Sequence, residues 1–134
     1  MASPIFTDDD LPDLAGILLD AALADGELAQ DEVEAVTGVL REIAGGALPP
    51  PVLAALKGYD PLSFDLAAAV RAVDLGGRRR RRELLALVGM VVAADGVVTA
   101  AEEAWIGRLG DALGQSEEQI EELRDELREL VGAG

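Results

Sequence analysis

The chain contains no cysteine and no histidine. Disulfides, thiolate metal sites and cysteine nucleophiles are therefore excluded, and neither an imidazole-ligated zinc or copper centre nor a Ser-His-Asp relay can be assembled. Aromatic residues make up only 3% of the sequence, namely Phe6, Tyr59, Phe64 and Trp105. Stacking platforms for nucleic acid bases are correspondingly scarce. Positive charge is also short: 11 basic residues face 26 acidic ones, a formal net charge of -15. Such a surface repels phosphate backbones and anionic lipid, so cations and basic partners are its natural company and nucleic acid is not expected. No apolar run approaches the ~20 residues that span a bilayer. Met1 to Asp10 carries three consecutive aspartates in place of the basic and apolar parts of an export signal. The expectation is a soluble, cytoplasmic protein without a transmembrane segment.

What is present reads as helix. Half of the 134 residues are hydrophobic, dominated by Ala, Leu and Val, which suits one all-α domain over residues 1–134. Thr7 to Asp10 offers a cap and an acidic first turn, and Leu14, Ile17, Leu18 and Ala21 carry a first helix toward Asp25 and a stop at Gly26. Spacing predicts a second helix over Gln30 to Ala44, ended by Gly45-Gly46, and a stiff connector at Pro49 to Pro51. A short apolar helix follows over Val52 to Lys57, and the next spans about Ser63 to Leu75 and is broken by Gly76-Gly77. The stretch from Glu83 to Ala94 is apolar on more than one face and is expected to be the most central helix. Two capping boxes, Thr99 with Glu102 and Ser116 with Gln119, open the last two helices. The total expected is about seven helices and no strand.

Ala24-Asp25-Gly26, followed by Leu28 and Glu32, recurs seventy positions later as Ala94-Asp95-Gly96, followed by Val98 and Glu102. The agreement extends to flanking aliphatics, Val36 with Ile106 and Val39 with Leu109. Duplication of a helix-turn-helix unit, with halves at about 10–45 and 80–115, is the simplest account. These two turns, the Leu113-Gly114 ending and the acidic helix opened by Ser116-Glu117-Glu118 resemble the TerB-like domains, named for a tellurite-resistance protein and also found in front of membrane-anchored DnaJ-type co-chaperones. The resemblance implies an all-α fold of about seven helices with an internal pseudo-repeat. It also implies an acidic patch, built from the two Asp-Gly turns, that has been associated with divalent cations. The two copies differ: Ala29 stands where the second has Thr99, and Glu27 is matched by Val97.

Two readings of the turns stay open. Asp-Gly after a helix is ordinary C-terminal punctuation, and Glu102 has a role in its capping box. Alternatively Asp25, Glu32, Asp95 and Glu102 form a metal site, since helix C-termini welcome cations and hard oxygen donors select calcium or magnesium over soft metals. Arg78, Arg79, Arg80, Arg81 and Arg82 are the other singular feature. They form either a solvated linker paired with the protein's own carboxylates or a docking site for an acidic partner. No phosphate-cradling glycine loop or aimed carboxylate pair suggests catalysis. The sequence is thus read as a non-catalytic module that binds a divalent cation weakly and acts through a protein partner, in a stress-response or chaperone-related context. A metal-free protein-interaction scaffold is the alternative.

Overall fold

The fold was established from a computed structural model, which describes residues 6–25, 30–75, 77–92 and 98–132. Seven α-helices and no strand occur among them: α1 (Leu11–Ala22), α2 (Gln30–Ala44), α3 (Pro50–Gly58), α4 (Leu66–Val73), α5 (Arg78–Val92), α6 (Ala100–Ala112) and α7 (Glu117–Gly132). A 3-10 turn, Leu23–Asp25, prolongs α1.

Local chemistry explains most of the boundaries. Thr99 and Glu102 form the expected capping box at α6. At α7 the Ser116 amide donates to Gln119 Oε1 at 2.9 Å and the Gln119 amide to Ser116 Oγ at 3.3 Å. Gly45 at φ +86° and Gly114 at φ +73° supply the left-handed residues that close α2 and α6. Three boundaries differ from the periodicity. The proline run is not a connector throughout, because α3 begins at Pro50, where a missing amide costs nothing in a first turn. Helix α4 is shorter than Ser63 to Leu75: Ser63 and Phe64 donate their amides to the Asp60 carbonyl in a turn, and the Asp65 side chain caps the helix from Ala68 N. Helix α5 begins at Arg78, five residues before the expected Glu83, so the arginines are helical rather than a preceding linker.

The central helix is α1, not α5. Leu11, Leu14, Ile17, Leu18 and Leu19 are all buried, and α1 packs against α2, α3, α4 and α5. Helix α5 keeps a solvent side, with Met90 56% exposed, because it is covered mainly by α1, α2 and α7. The seventy-residue offset is visible in the helix bounds: α1 ends at Ala22 and α5 at Val92, and α2 starts at Gln30 and α6 at Ala100. Offset pairs are buried together, Leu14 with Leu84, Ile17 with Leu87, Leu18 with Val88, Val36 with Ile106 and Val39 with Leu109. One hydrophobic cluster joins both halves.

Candidate functional site

Glu32 and Glu102 each stand third in their helices, at the N-termini of α2 and α6. Glu102 is 8% exposed, and its Oε1 accepts the Thr99 amide at 2.7 Å while its own amide donates to Thr99 Oγ1 at 3.2 Å. That carboxylate is oriented by capping the helix. Glu32 is half-buried, and Ala29 in the sequence has no hydroxyl to build the matching box. Asp95 and both glycines of the Asp-Gly turns lie outside the described residues, and of Asp25 only the backbone is described, at the end of the 3-10 turn. Whether the four carboxylates converge therefore falls outside the description. Among the described residues no three acidic side chains are grouped to hold a metal ion, so Glu32 and Glu102 do not make a cation site by themselves.

A carboxylate absent from the sequence reading organises the centre of the fold. Asp20 lies near the end of α1, and its Oδ2 accepts the Trp105 indole N–H at 2.8 Å while its Oδ1 accepts the Tyr59 hydroxyl at 2.9 Å. One side chain thus ties α1 to α6 and to the segment after α3. Burial, together with the Asp20 hydrogen bond and charge, holds the Tyr59 phenol well above its usual range. The signal was present in the sequence, since Asp20 interrupts the apolar run Leu18 to Leu23 and its counterpart seventy positions on is Met90.

The five arginines divide by helical position. Arg80 and Arg81 are half-buried. Arg80 donates to Asp10 Oδ2 at 3.1 Å and to the Val73 carbonyl, and its guanidinium lies 4.9 Å from the Phe6 ring centroid. Arg81 donates to the Leu75 carbonyl at 3.1 Å. These contacts place positive charge against the C-terminal end of α4, where the helix dipole favours it. Arg78, Arg79 and Arg82 are exposed, Arg82 reaching Glu126 on α7 at 3.5 Å. On the other side of α7, Arg124 Nε donates to the Glu103 carbonyl at 3.0 Å, and Arg128 pairs with Glu103 and Asp125.

Open clefts flank the turn between α3 and α4. One, of about 610 Å³, is bordered by Pro12, Gly16, Ala55, Phe64 and Ala68 with Asp13, Asp60 and Asp65. Another, of about 790 Å³, includes Asp20, Phe64, Arg108 and Asp111. No described helix is long and apolar enough to cross a membrane.

A family model described as tellurite resistance protein TerB matches residues 12–125. This span runs from the first turn of α1 into α7 and contains both Asp-Gly turns, the Arg78 to Arg82 run and Asp20. No curated protein and no solved structure matches the chain.

Proposed function

The chain belongs to the TerB family, and from that premise we propose that it is a non-catalytic, acidic helical module that works by binding a protein partner. The observation that carries this reading is the way charge is partitioned. Arg80, Arg81, Arg82, Arg124 and Arg128 are engaged by carboxylates or carbonyls of the same chain. Glu117, Glu118, Glu122 and Glu129 meanwhile lie exposed along α7. With these five of the eleven basic side chains engaged within the chain, exposed carboxylates outnumber the remaining positive charges, and such a surface favours a basic partner. Asp20 and the buried Glu102 support a binding rather than a catalytic role, because their carboxylates accept indole, phenol and amide donors. We assign the role to a stress response in the cytoplasm; the description of the matching family, tellurite resistance protein TerB, supports the stress-response part of that reading.

A weakly held divalent cation is the second component. It is supported by the ends of α1 and α5, neither of which carries a basic side chain in its last turn, although each leads toward an Asp-Gly pair in the sequence. The partner reading is tested by cross-linked affinity capture of the tagged chain, followed by reconstitution with the purified candidate. The expected result is a basic partner whose complex weakens steeply as salt rises. A chain that purifies alone, or a reconstituted complex indifferent to salt, overturns it.

A further inference from the structure

Helices α3 and α4 both pack on α1 and make little contact with each other, so α1 forms the floor of a groove between them. The floor is apolar and shallow. A Cβ added to Gly16 would come within 2.5 Å of Phe64 Cε1, so the ring is seated directly on the α1 backbone. Tyr59 supports it edgewise, with ring centroids 5.5 Å apart and planes tilted by 55°. Ala55 and Ala68 form the walls, and the space of about 610 Å³ is enough for a few side chains of a partner. In the turn whose Asp60 and Ser63 border the groove, Leu62 is 95% exposed.

The rim has one sign. Asp13, Asp60 and Asp65 border the groove, and among the described residues no lysine or arginine does. Burial and the neighbouring Asp10 charge hold the Asp13 carboxyl above its usual range, so added positive charge would be welcome there. Asp60 and Asp65 are fixed in place, Asp60 Oδ1 accepting the Leu62 amide at 3.0 Å and Asp65 Oδ1 the Ala68 amide at 3.1 Å. An apolar floor between two helices with an acidic rim is complementary to an apolar helix stripe flanked by lysine or arginine.

Resting on the partner-binding reading above, we infer that the α1/α3/α4 groove is the docking site for a basic amphipathic helix of the protein partner. The helix lays its apolar stripe over Phe64 and the alanines while its basic flanks meet Asp13, Asp60 and Asp65. Leu62 adds apolar contact at the edge.

The probe is a labelled helical peptide of leucine and lysine in amphipathic register, followed by fluorescence anisotropy on the full chain. Controls are a leucine/glutamate peptide and a scrambled leucine/lysine peptide without an apolar stripe. Ala68→Gln places a flexible polar side chain over the exposed floor without changing charge or interrupting the helix, and should weaken binding about tenfold. Asp13→Asn with Asp60→Asn and Asp65→Asn retains the turn and the cap, and should weaken it about fivefold with a shallower salt dependence. Glu34→Gln with Glu42→Gln and Glu83→Gln removes equal charge on α2 and α5, away from the groove, and should change affinity less than twofold. Circular dichroism checks that each variant is folded. Equal binding by Ala68→Gln and the parent, equal effects of the two triple variants, equal affinity for the scrambled peptide, or no binding at all overturns the groove. So does self-association through the groove, seen as a dimer in light scattering that Ala68→Gln converts to monomer. A captured basic partner that ignores Ala68→Gln also overturns the groove while leaving the partner reading intact. Absence of any partner removes that reading itself.

Discussion

Asp20 accepts hydrogen bonds from the only tryptophan and the only tyrosine of the chain, so its role can be read with two separate optical probes. Replacing it by alanine leaves an indole N–H on a residue that is 1% exposed without its acceptor. The expected cost for Asp20→Ala is about 2–3 kcal/mol, with a red shift of Trp105 fluorescence, and Asp20→Asn, which keeps one carbonyl acceptor, should lose less. Thermal melts checked against fluorescence decide it; an alanine variant as stable as the parent would mean that solvent replaces the carboxylate freely. Tyr59 gives the pH prediction. Its folded-state pKa lies above the ordinary 10.0, so the folded chain holds the phenolic proton more tightly than the unfolded chain does. The resulting stability is fully present below pH 10 and is lost as pH rises beyond it. Tyrosinate absorbance should therefore appear together with loss of helical circular dichroism, rather than before it. At this scale the sequence was legible where a motif names its own partner, as at Thr99 and Glu102, three residues apart. Asp20 showed only as a polar break in an apolar run; its role was not legible, because its partners stand 39 and 85 residues away and no local rule connects them.

Helix packing turns small residues into specific ones. A Cβ on Gly110 would lie 2.3 Å from Ile120 Cγ1, whereas one on Gly38 in α2 would meet nothing within 4 Å. Gly110→Ala must push α6 from α7 and is expected to cost about 1–3 kcal/mol. Gly38→Ala removes only backbone freedom and should add about 0.5–1 kcal/mol. Paired urea melts test the contrast, and equal signs would mean that Ile120 yields without cost. The arginine run makes a second contrast within one element. Serine at Arg78, Arg79 and Arg82 should alter stability by less than about 0.5 kcal/mol. Arg80→Ser breaks the contacts joining α5 to Asp10, Phe6 and the end of α4, and should lower the melting temperature by several degrees. Periodicity placed α2 at its observed ends because an apolar stripe and a glycine pair agree there. It misplaced the start of α5, since charge opposing a helix dipole reads as a breaker until tertiary acceptors from α4 and Asp10 are known. It also ranked α5 above α1 as the central helix, because apolar count alone does not show how many neighbours surround a helix.

The net charge of -15 acts on the whole molecule, and it was available by counting. What counting does not give is which basic side chains are held within the chain, as Arg80, Arg81 and Arg124 are, because that depends on tertiary acceptors. Self-repulsion of the folded chain should make any salt stabilising, so a divalent-cation effect has meaning only against that background. The specific proposal is that calcium or magnesium is taken at the Asp-Gly turns, with Glu32 and Glu102 at the heads of the helices that follow. At ~100 times the dissociation constant a bound ion adds about 2.7 kcal/mol, a rise of several degrees in melting temperature for a chain of this size. The melts are run with chelator and with each ion, at matched ionic strength, for the parent and for Asp25→Asn with Asp95→Asn. The expected outcome is an ion-dependent rise in the parent that is largely lost in the double variant. Equal rises in both would assign the effect to diffuse charge. No rise in either would leave Glu102 as a helix-capping group and the partner surface as the working part of the module.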